Sequence, residues 1–155
     1  MKPTNLKDHP EGGRYQEVFR SCAKVITDGG DERSALTHIY YELNPGEVSK
    51  FHRISSDEIW NLYQGEGLRL YVWDGTSKPP EIITLSAAGN AFCTVVPAGY
   101  WQAAESVSGP VLIGASVAPS FEFEDFKLME ADSPEAGRLK SFETMRDFLM
   151  RHPLV

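Results

Sequence analysis

Gly46-Glu47-Val48-Ser49-Lys50-Phe51-His52-Arg53-Ile54-Ser55-Ser56-Asp57-Glu58-Ile59-Trp60-Asn61-Leu62-Tyr63-Gln64-Gly65 is the stretch of this chain densest in chemistry. Residues 58–64 read as a strand, and strand side chains alternate between two faces. If Glu58 points inward, Trp60 and Leu62 do too. Ile59, Asn61 and Tyr63 then point the other way. By the same rule His52 and Ile54 share a face. The stretch thus offers an inward histidine, an inward carboxylate and an inward indole between two glycines.

Outward from it the pattern repeats. Runs rich in Val, Ile, Tyr, Phe and Trp occupy residues 15–22, 35–43, 68–73, 81–85, 92–96, 100–106 and 111–118. Gly and Pro separate them, as at Gly12-Gly13, Pro45-Gly46, Gly75, Pro79-Pro80, Gly89, Pro97, Gly99 and Gly109-Pro110. Many short strands with regular turn signals predict an all-β sandwich or barrel. Residues 27–33 read as a mobile loop. The tail changes period. Ser133-Pro134-Glu135 is a helix start, with a hydroxyl cap, proline at the first position and then an acid. Leu139, Phe142, Met145, Phe148 and Leu149 follow at helical spacing, and His152-Pro153 ends the pattern. This stripe is expected to pack on the barrel or on a partner subunit.

The 155 residues, 24 % charged and 41 % hydrophobic, predict a single folded domain over 1–155. Its barrel spans about residues 8–130 and its helix about 133–151. The net charge of -7 excludes general nucleic-acid binding, which needs a positive field. Cys22 and Cys93 are too few for a disulfide framework, and Cys93 reads as a buried core residue. The first ten residues hold no apolar run, so neither signal peptide nor membrane span is expected. The reading is a soluble, reduced, cytoplasmic protein.

The landmarks match a known pattern. Gly46, His52, Glu58 and Gly65 fall where the first cupin motif has its glycine, first histidine, glutamate and closing glycine. Gly89, Pro97 and Gly99 fit the second motif in register. The chain resembles the cupins, which implies a jelly-roll β-barrel, here with a short C-terminal helical segment. The flanks narrow the likeness. Pro10-Glu11-Gly12-Gly13-Arg14-Tyr15-Gln16-Glu17-Val18-Phe19-Arg20-Ser21, Ser55-Ser56-Asp57-Glu58-Ile59-Trp60, Pro97-Ala98-Gly99-Tyr100-Trp101-Gln102-Ala103-Ala104 and the segment from Val117 to Phe126 resemble the cupin-5 or DUF985 subfamily. In that subfamily a histidine commonly follows the tryptophan of the first motif, where this chain has Asn61. The fold is similar to that of dTDP-4-dehydrorhamnose 3,5-epimerases, metal-free cupins that use acid–base chemistry. The resemblance also implies a homodimer, paired through sheet edges or exchanged strands.

Metal-binding cupins hold an ion with three histidines and the glutamate. This chain has Ile54 and Gln102 at two of the histidine positions and Ser106 at the final asparagine position. Only His52 and Glu58 remain, with Gln102 as a weak oxygen donor. A divalent metal on His52, Glu58 and Gln102 is therefore a minor expectation, and no cofactor is assigned. His52 is the acid–base candidate because its pKa lies near neutrality, and Glu58 either orients it or serves as the base. Tyr40 and Tyr41 adjoin on one strand, so one faces inward; Tyr40 is taken as a possible proton donor, beside the alternative that it is core. His38 shares its face and reads as structural. Trp60 and Gln102 would line the pocket, and Arg20 and Arg53 would clamp an anionic group. Trp73 and Trp101 read as packing or dimer contacts. His9 and His152 are assigned no role, and Gly12-Gly13 lacks the lysine and helix of a phosphate loop.

Three functions follow as expectations. The first is a metal-independent isomerase or epimerase on a carbohydrate-like or nucleotide-linked small molecule. The second is a non-catalytic metabolite-binding or sensing protein. The third is a metal-dependent lyase or oxygenase.

Overall fold

The computed structural model describes residues 3–155. Its strands in the first half are β1 (Lys7–Asp8), β2 (Arg14–Arg20), β3 (Lys24–Ile26), β4 (Glu32–Ser34), β5 (Thr37–Leu43), β6 (Val48–Arg53) and β7 (Asp57–Gln64). Those in the second are β8 (Leu68–Trp73), β9 (Glu81–Leu85), β10 (Cys93–Val96), β11 (Trp101–Ser106), β12 (Val111–Ala118) and β13 (Lys127–Leu128). They form a six-stranded sheet, β1-β2-β5-β12-β7-β10, and a five-stranded sheet, β13-β6-β11-β8-β9. Every pairing is antiparallel. The all-β jelly-roll expectation and the strand positions agree with this architecture within a few residues at each end. β3 and β4 pair only with each other. Residues 27–33 are thus a hairpin turn and its return strand rather than a mobile loop. The Arg33 guanidinium holds the hairpin to Asp125 with a 2.9 Å contact.

Two apolar cores explain the burial. One lies between the sheets, where Tyr41, Trp60, Leu70, Val96 and Ile113 meet. The other lies on the outer face of the five-stranded sheet, where Phe51, Tyr71, Trp73 and Trp101 are covered by Leu139, Met145 and Phe148. The five-stranded sheet is thus covered on both faces, and β8 and β11 are buried along most of their length. Trp73 and Trp101 are packing residues. Cys93 is exposed on β10, contrary to expectation. It pairs with Asn61, and that register turns it outward.

The tail differs from a single helix over 133–151. α1 (Pro134–Ser141) starts at Ser133, whose hydroxyl accepts from the Ala136 amide. Phe142 then turns extended and lays its ring edge-on to Trp73. A turn of 3-10 helix leads into α2 (Arg146–Arg151). Leu139 before the break and Met145 and Phe148 after it all pack on the same sheet face, with Phe142 between them. No helix among the described residues is long and apolar enough to cross a membrane.

Glu105 fastens this tail. Its carboxylate accepts from Tyr71 Oη at 2.8 Å and contacts Arg151, Arg69 and His152. Burial pushes its pKa up, but the Arg151 and Tyr71 hydrogen bonds hold it down to about 2. A depressed carboxyl contributes stability that is present above its unfolded value and lost as pH falls toward 2. Arg151 and Arg69 stay partly hydrated, so the loss on substitution is smaller than for a fully buried pair. Glu105→Ala is expected to cost about 2–3 kcal/mol at pH 7 and to expose the tail to proteolysis. An unchanged melting temperature and cleavage pattern would contradict this role.

Candidate functional site

A cavity of about 450 Å³ opens between the two sheets, within the range of roughly 300–1,000 Å³ that suits small molecules. Aromatic rings of Tyr15, Tyr41, Trp60 and Phe121 wall it, and Ile39 and Ile54 add apolar surface. Four titratable groups meet in its buried part: His9, Glu11, His52 and Glu58. Lys7 and Arg20 stand at the mouth.

Local structure places each group. His52 and Glu58 come from β6 and β7, where alternation turns them inward as expected. His9 and Glu11 come from the turn between β1 and β2. There the His9 amide donates to Gly13 O and the Gly12 amide to His9 O. Lys50 N donates to Glu11 O at 2.8 Å, and the Tyr41 hydroxyl donates to Gly12 O at 2.7 Å. This tight turn is strapped across β6 and drives two polar side chains into the barrel.

Donor and acceptor rules then locate protons. His52 Nδ1 lies 2.7 Å from Lys50 O. A carbonyl only accepts, so Nδ1 carries the hydrogen and Nε2 is left to face Glu11 Oε2 at 3.1 Å. One proton must lie between that nitrogen and that oxygen. Burial raises the Glu11 pKa and lowers that of His52. The neutral form is therefore favoured, with a Glu11 acid donating to a neutral imidazole. Ser49 Oγ donates to the other Glu11 oxygen at 2.8 Å. His9 Nδ1 accepts from the Glu11 amide at 3.3 Å, so its hydrogen is on Nε2. Burial lowers the His9 pKa as well.

Glu58 belongs to a second chain of bonds. Trp60 Nε1 can only donate, and it gives its hydrogen to Gln102 Oε1 at 2.8 Å. Gln102 Nε2 consequently faces Glu58 Oε2, 2.6 Å away. Any proton on Glu58 therefore sits on Oε1. Burial pushes the Glu58 pKa up to about 7, against the hydrogen bond from Gln102 that favours the carboxylate. A carboxyl that titrates near neutral pH beside a neutral imidazole can take and return protons, as general acid–base chemistry requires.

The candidates divide. The structure brings His52, Glu58, Trp60 and Gln102 together. Gln102 lies behind Glu58 and Trp60 as a fully buried brace. Arg20 reaches the mouth, but Glu17 and Glu122 hold its guanidinium, so it is no free anion clamp. Arg53 does not reach the cavity. It alternates with His52 on β6 and lies over the Trp101 ring, 4.8 Å from its centroid. Tyr40 also faces away, because alternation on β5 gives the inward place to Tyr41; it lies edge-on to Tyr63 instead. His38 is bonded to Ser116 and Tyr63, as a structural residue would be. His9 and Glu11 were not anticipated as site residues.

The donor set does not fit the four-ligand cupin metal centre. Ile54 presents carbon to the cavity, and both ends of the Gln102 amide are engaged. Among the described residues no three His, Cys, Asp or Glu side chains converge as ligands.

Comparison with known proteins agrees with the architecture. A protein of Shewanella oneidensis is similar at 28 % identity and TM-score 0.78, over 97 % of this chain and 91 % of that one. A hypothetical protein from Leishmania major is similar at 27 % identity and TM-score 0.73, over 92 % and 89 %. A cupin 2 conserved barrel domain protein from Rhodopseudomonas palustris shares the fold at 15 % identity and TM-score 0.61, over 96 % and 86 %. No curated protein matches. The family model described as "Cupin superfamily (DUF985)" matches residues 1–129, and the chain belongs to that family.

Proposed function

We propose that the cavity binds a small carbohydrate-like carbonyl compound and moves a proton at the carbon beside its carbonyl, as an isomerase or epimerase, without a metal. The observation that supports this best is the meeting of two buried carboxyl groups, Glu11 and Glu58, with the imidazoles of His9 and His52 in one cavity. Glu58, as carboxylate, takes the proton from the C–H bond onto Oε1. The acid shared by Glu11 and His52 gives a proton to the carbonyl oxygen, and an enediol forms. Return of a proton to carbon, from either face or to the neighbouring carbon, restores a carbonyl and both protein groups. No electrons leave the substrate, so no oxidant is needed. The aromatic walls suit the apolar faces of a sugar ring. A nucleotide-linked ligand is less well served, because Arg20 is already paired.

Hydrogen–deuterium exchange followed by NMR tests the proposal, with free and 6-phosphorylated ketoses and aldoses in D2O. The expected result is exchange at the α-carbon for at least one compound, lowered at least 100-fold in Glu58→Gln. Absence of exchange with every compound would overturn it.

One observation favours a second reading, a non-catalytic binding protein. Gln102 pins one Glu58 oxygen and the Tyr41 hydroxyl is spent on Gly12 O, so both groups are already engaged without a ligand. Thermal stabilisation by a sugar that shows no exchange would select this reading.

A further inference from the structure

The proton transfers described above employ Glu11, His52 and Glu58 and give His9 no step. Yet His9 lines the same cavity, and its side chain is only 5 % exposed. His9 Nδ1 accepts from the Glu11 amide, which leaves the hydrogen on Nε2. Among the described residues nothing accepts that hydrogen. Nor does any described polar side-chain atom sealed from water lack a partner, so Nε2 opens to the cavity.

The polar groups around it are engaged. Glu11 takes the Ser49 hydroxyl on one oxygen and faces His52 with the other. His52 Nδ1 is on Lys50 O, and Gln102 bridges Trp60 and Glu58 Oε2. Of the four titratable groups in the buried part, only His9 Nε2 and Glu58 Oε1 are left for a ligand. They differ in kind. Glu58 Oε1 is the base, and His9 Nε2–H can only donate.

The donor is also held still. Tyr15 lies edge-on to the His9 ring with centroids 4.8 Å apart, and Phe126 does so at 5.6 Å. Phe121 and Phe123 tilt against it at 5.9 Å. A donor aimed before the ligand arrives loses little freedom on binding. An aromatic cluster needs only a ring, and phenylalanine would fill it without opening a donor to the cavity. Burial lowers the His9 pKa, so the donor is a neutral imidazole that suits an uncharged oxygen. Its Nδ1 lies 3.5 Å from Glu11 Oε2, and that oxygen lies 3.1 Å from His52 Nε2. The ring thus stands next to the acid that serves the carbonyl oxygen.

We propose that His9 Nε2–H binds the hydroxyl oxygen on the carbon beside the substrate's carbonyl, so that the cavity selects α-hydroxy carbonyl compounds over their deoxy counterparts. This rests on the isomerase reading for the place of the carbonyl. A deoxy compound would leave the buried N–H unpaired, and sites built around a substrate hydroxyl reject such compounds for that reason.

Titration of the full chain with paired sugars, followed in proton–nitrogen NMR spectra, tests it. The pairs are D-ribose with 2-deoxy-D-ribose, D-glucose with 2-deoxy-D-glucose, and the 6-phosphates of the glucose pair. The 2-hydroxy member of at least one pair is expected to bind about tenfold tighter or more. Two variants separate recognition from bracing of the turn. His9→Asn keeps an acceptor where Nδ1 stands but has no donor at the position of Nε2, and the preference is expected to vanish. His9→Gln carries an amide donor out to that position and is expected to keep a several-fold preference. A parent that binds no member of any pair, or binds both members of every pair equally, would overturn the proposal. So would a preference kept in His9→Asn and lost in His9→Gln. Deuterium exchange at the α-carbon is read on the same compounds. A preference that depends on His9 without exchange contradicts the isomerase reading alone, and exchange without such a preference contradicts the role of His9 alone.

Discussion

Glu58→Gln is expected to make the protein more stable at pH 8 than its parent, and clearly less so at pH 5. Burial lifts the Glu58 carboxyl from 4.5 to about 7 in the folded chain. Between those values the folded protein keeps a proton that the unfolded chain has lost. Its contribution to stability is fully present below 4.5 and is lost as pH rises through about 7. At pH 8 the parent must hold a buried carboxylate, at a cost of about 3 kcal/mol relative to acid pH. Glutamine has no charge to lose, and its amide oxygen still accepts from Gln102. The advantage of the variant should therefore grow by about 2 kcal/mol between pH 5 and pH 8, or roughly 4–8 °C in melting temperature for a chain of this size. Melting curves at several pH values read it directly. A difference that does not change with pH would mean that Glu58 is ionised at neutral pH without strain. A site that stabilises the fold when it is disarmed is what the exchange of stability for activity produces.

Gly12→Ala is expected to be the most damaging small substitution. Gly12 has φ +111°, and a Cβ there would lie 2.1 Å from the Val48 carbonyl oxygen. That oxygen belongs to the backbone of β6 and cannot swing aside. The turn must lift, breaking the Tyr41 bond to Gly12 O and the Lys50 bond to Glu11 O. Backbone strain and the lost hydrogen bonds together predict a cost of about 3 kcal/mol or more, with His9 and Glu11 drawn out of the cavity. Gly46→Ala is the control. Its φ is +82°, but nothing lies within 4 Å of the added carbon, so about 1 kcal/mol is expected. Equal losses at the two positions, measured by chemical denaturation, would show that strain alone matters and that the close approach to β6 does not.

Much of this was legible in the chain. Alternation along 58–64 placed Glu58 and Trp60 inward and Ile59 and Tyr63 outward, because a strand leaves no other choice. The spacing of Gly46, His52, Glu58, Gly65, Pro97 and Gly99 carried the barrel. Tyr40 was an even choice against Tyr41, since alternation says that one faces in but not which. The bulge between β2 and β5 at Glu17/Phe19 shows how a single extra residue resets such a register. Glu11 and His9 were missed for a different reason. They lie far in sequence from β6, and only the tight approach of Gly12 to Val48 brings them to His52. The signal was present in Pro10-Glu11-Gly12-Gly13: paired glycines let one backbone press against another, and polar residues beside such a turn are carried inward with it. The break at Phe142 goes with its contact on Trp73, a tertiary contact that helical periodicity does not encode.

Buried carboxyl groups hold protons near neutral pH in a cavity of small-molecule size. Carbon-13 NMR of the glutamate side-chain carboxyls, titrated from acid to pH 9 with Glu58→Gln for assignment, tests it most directly. The Glu58 carbon is expected to titrate with a midpoint at about 7, well above the ordinary glutamates. A chain in which every glutamate, Glu58 included, is fully ionised by about pH 5.5 would contradict it.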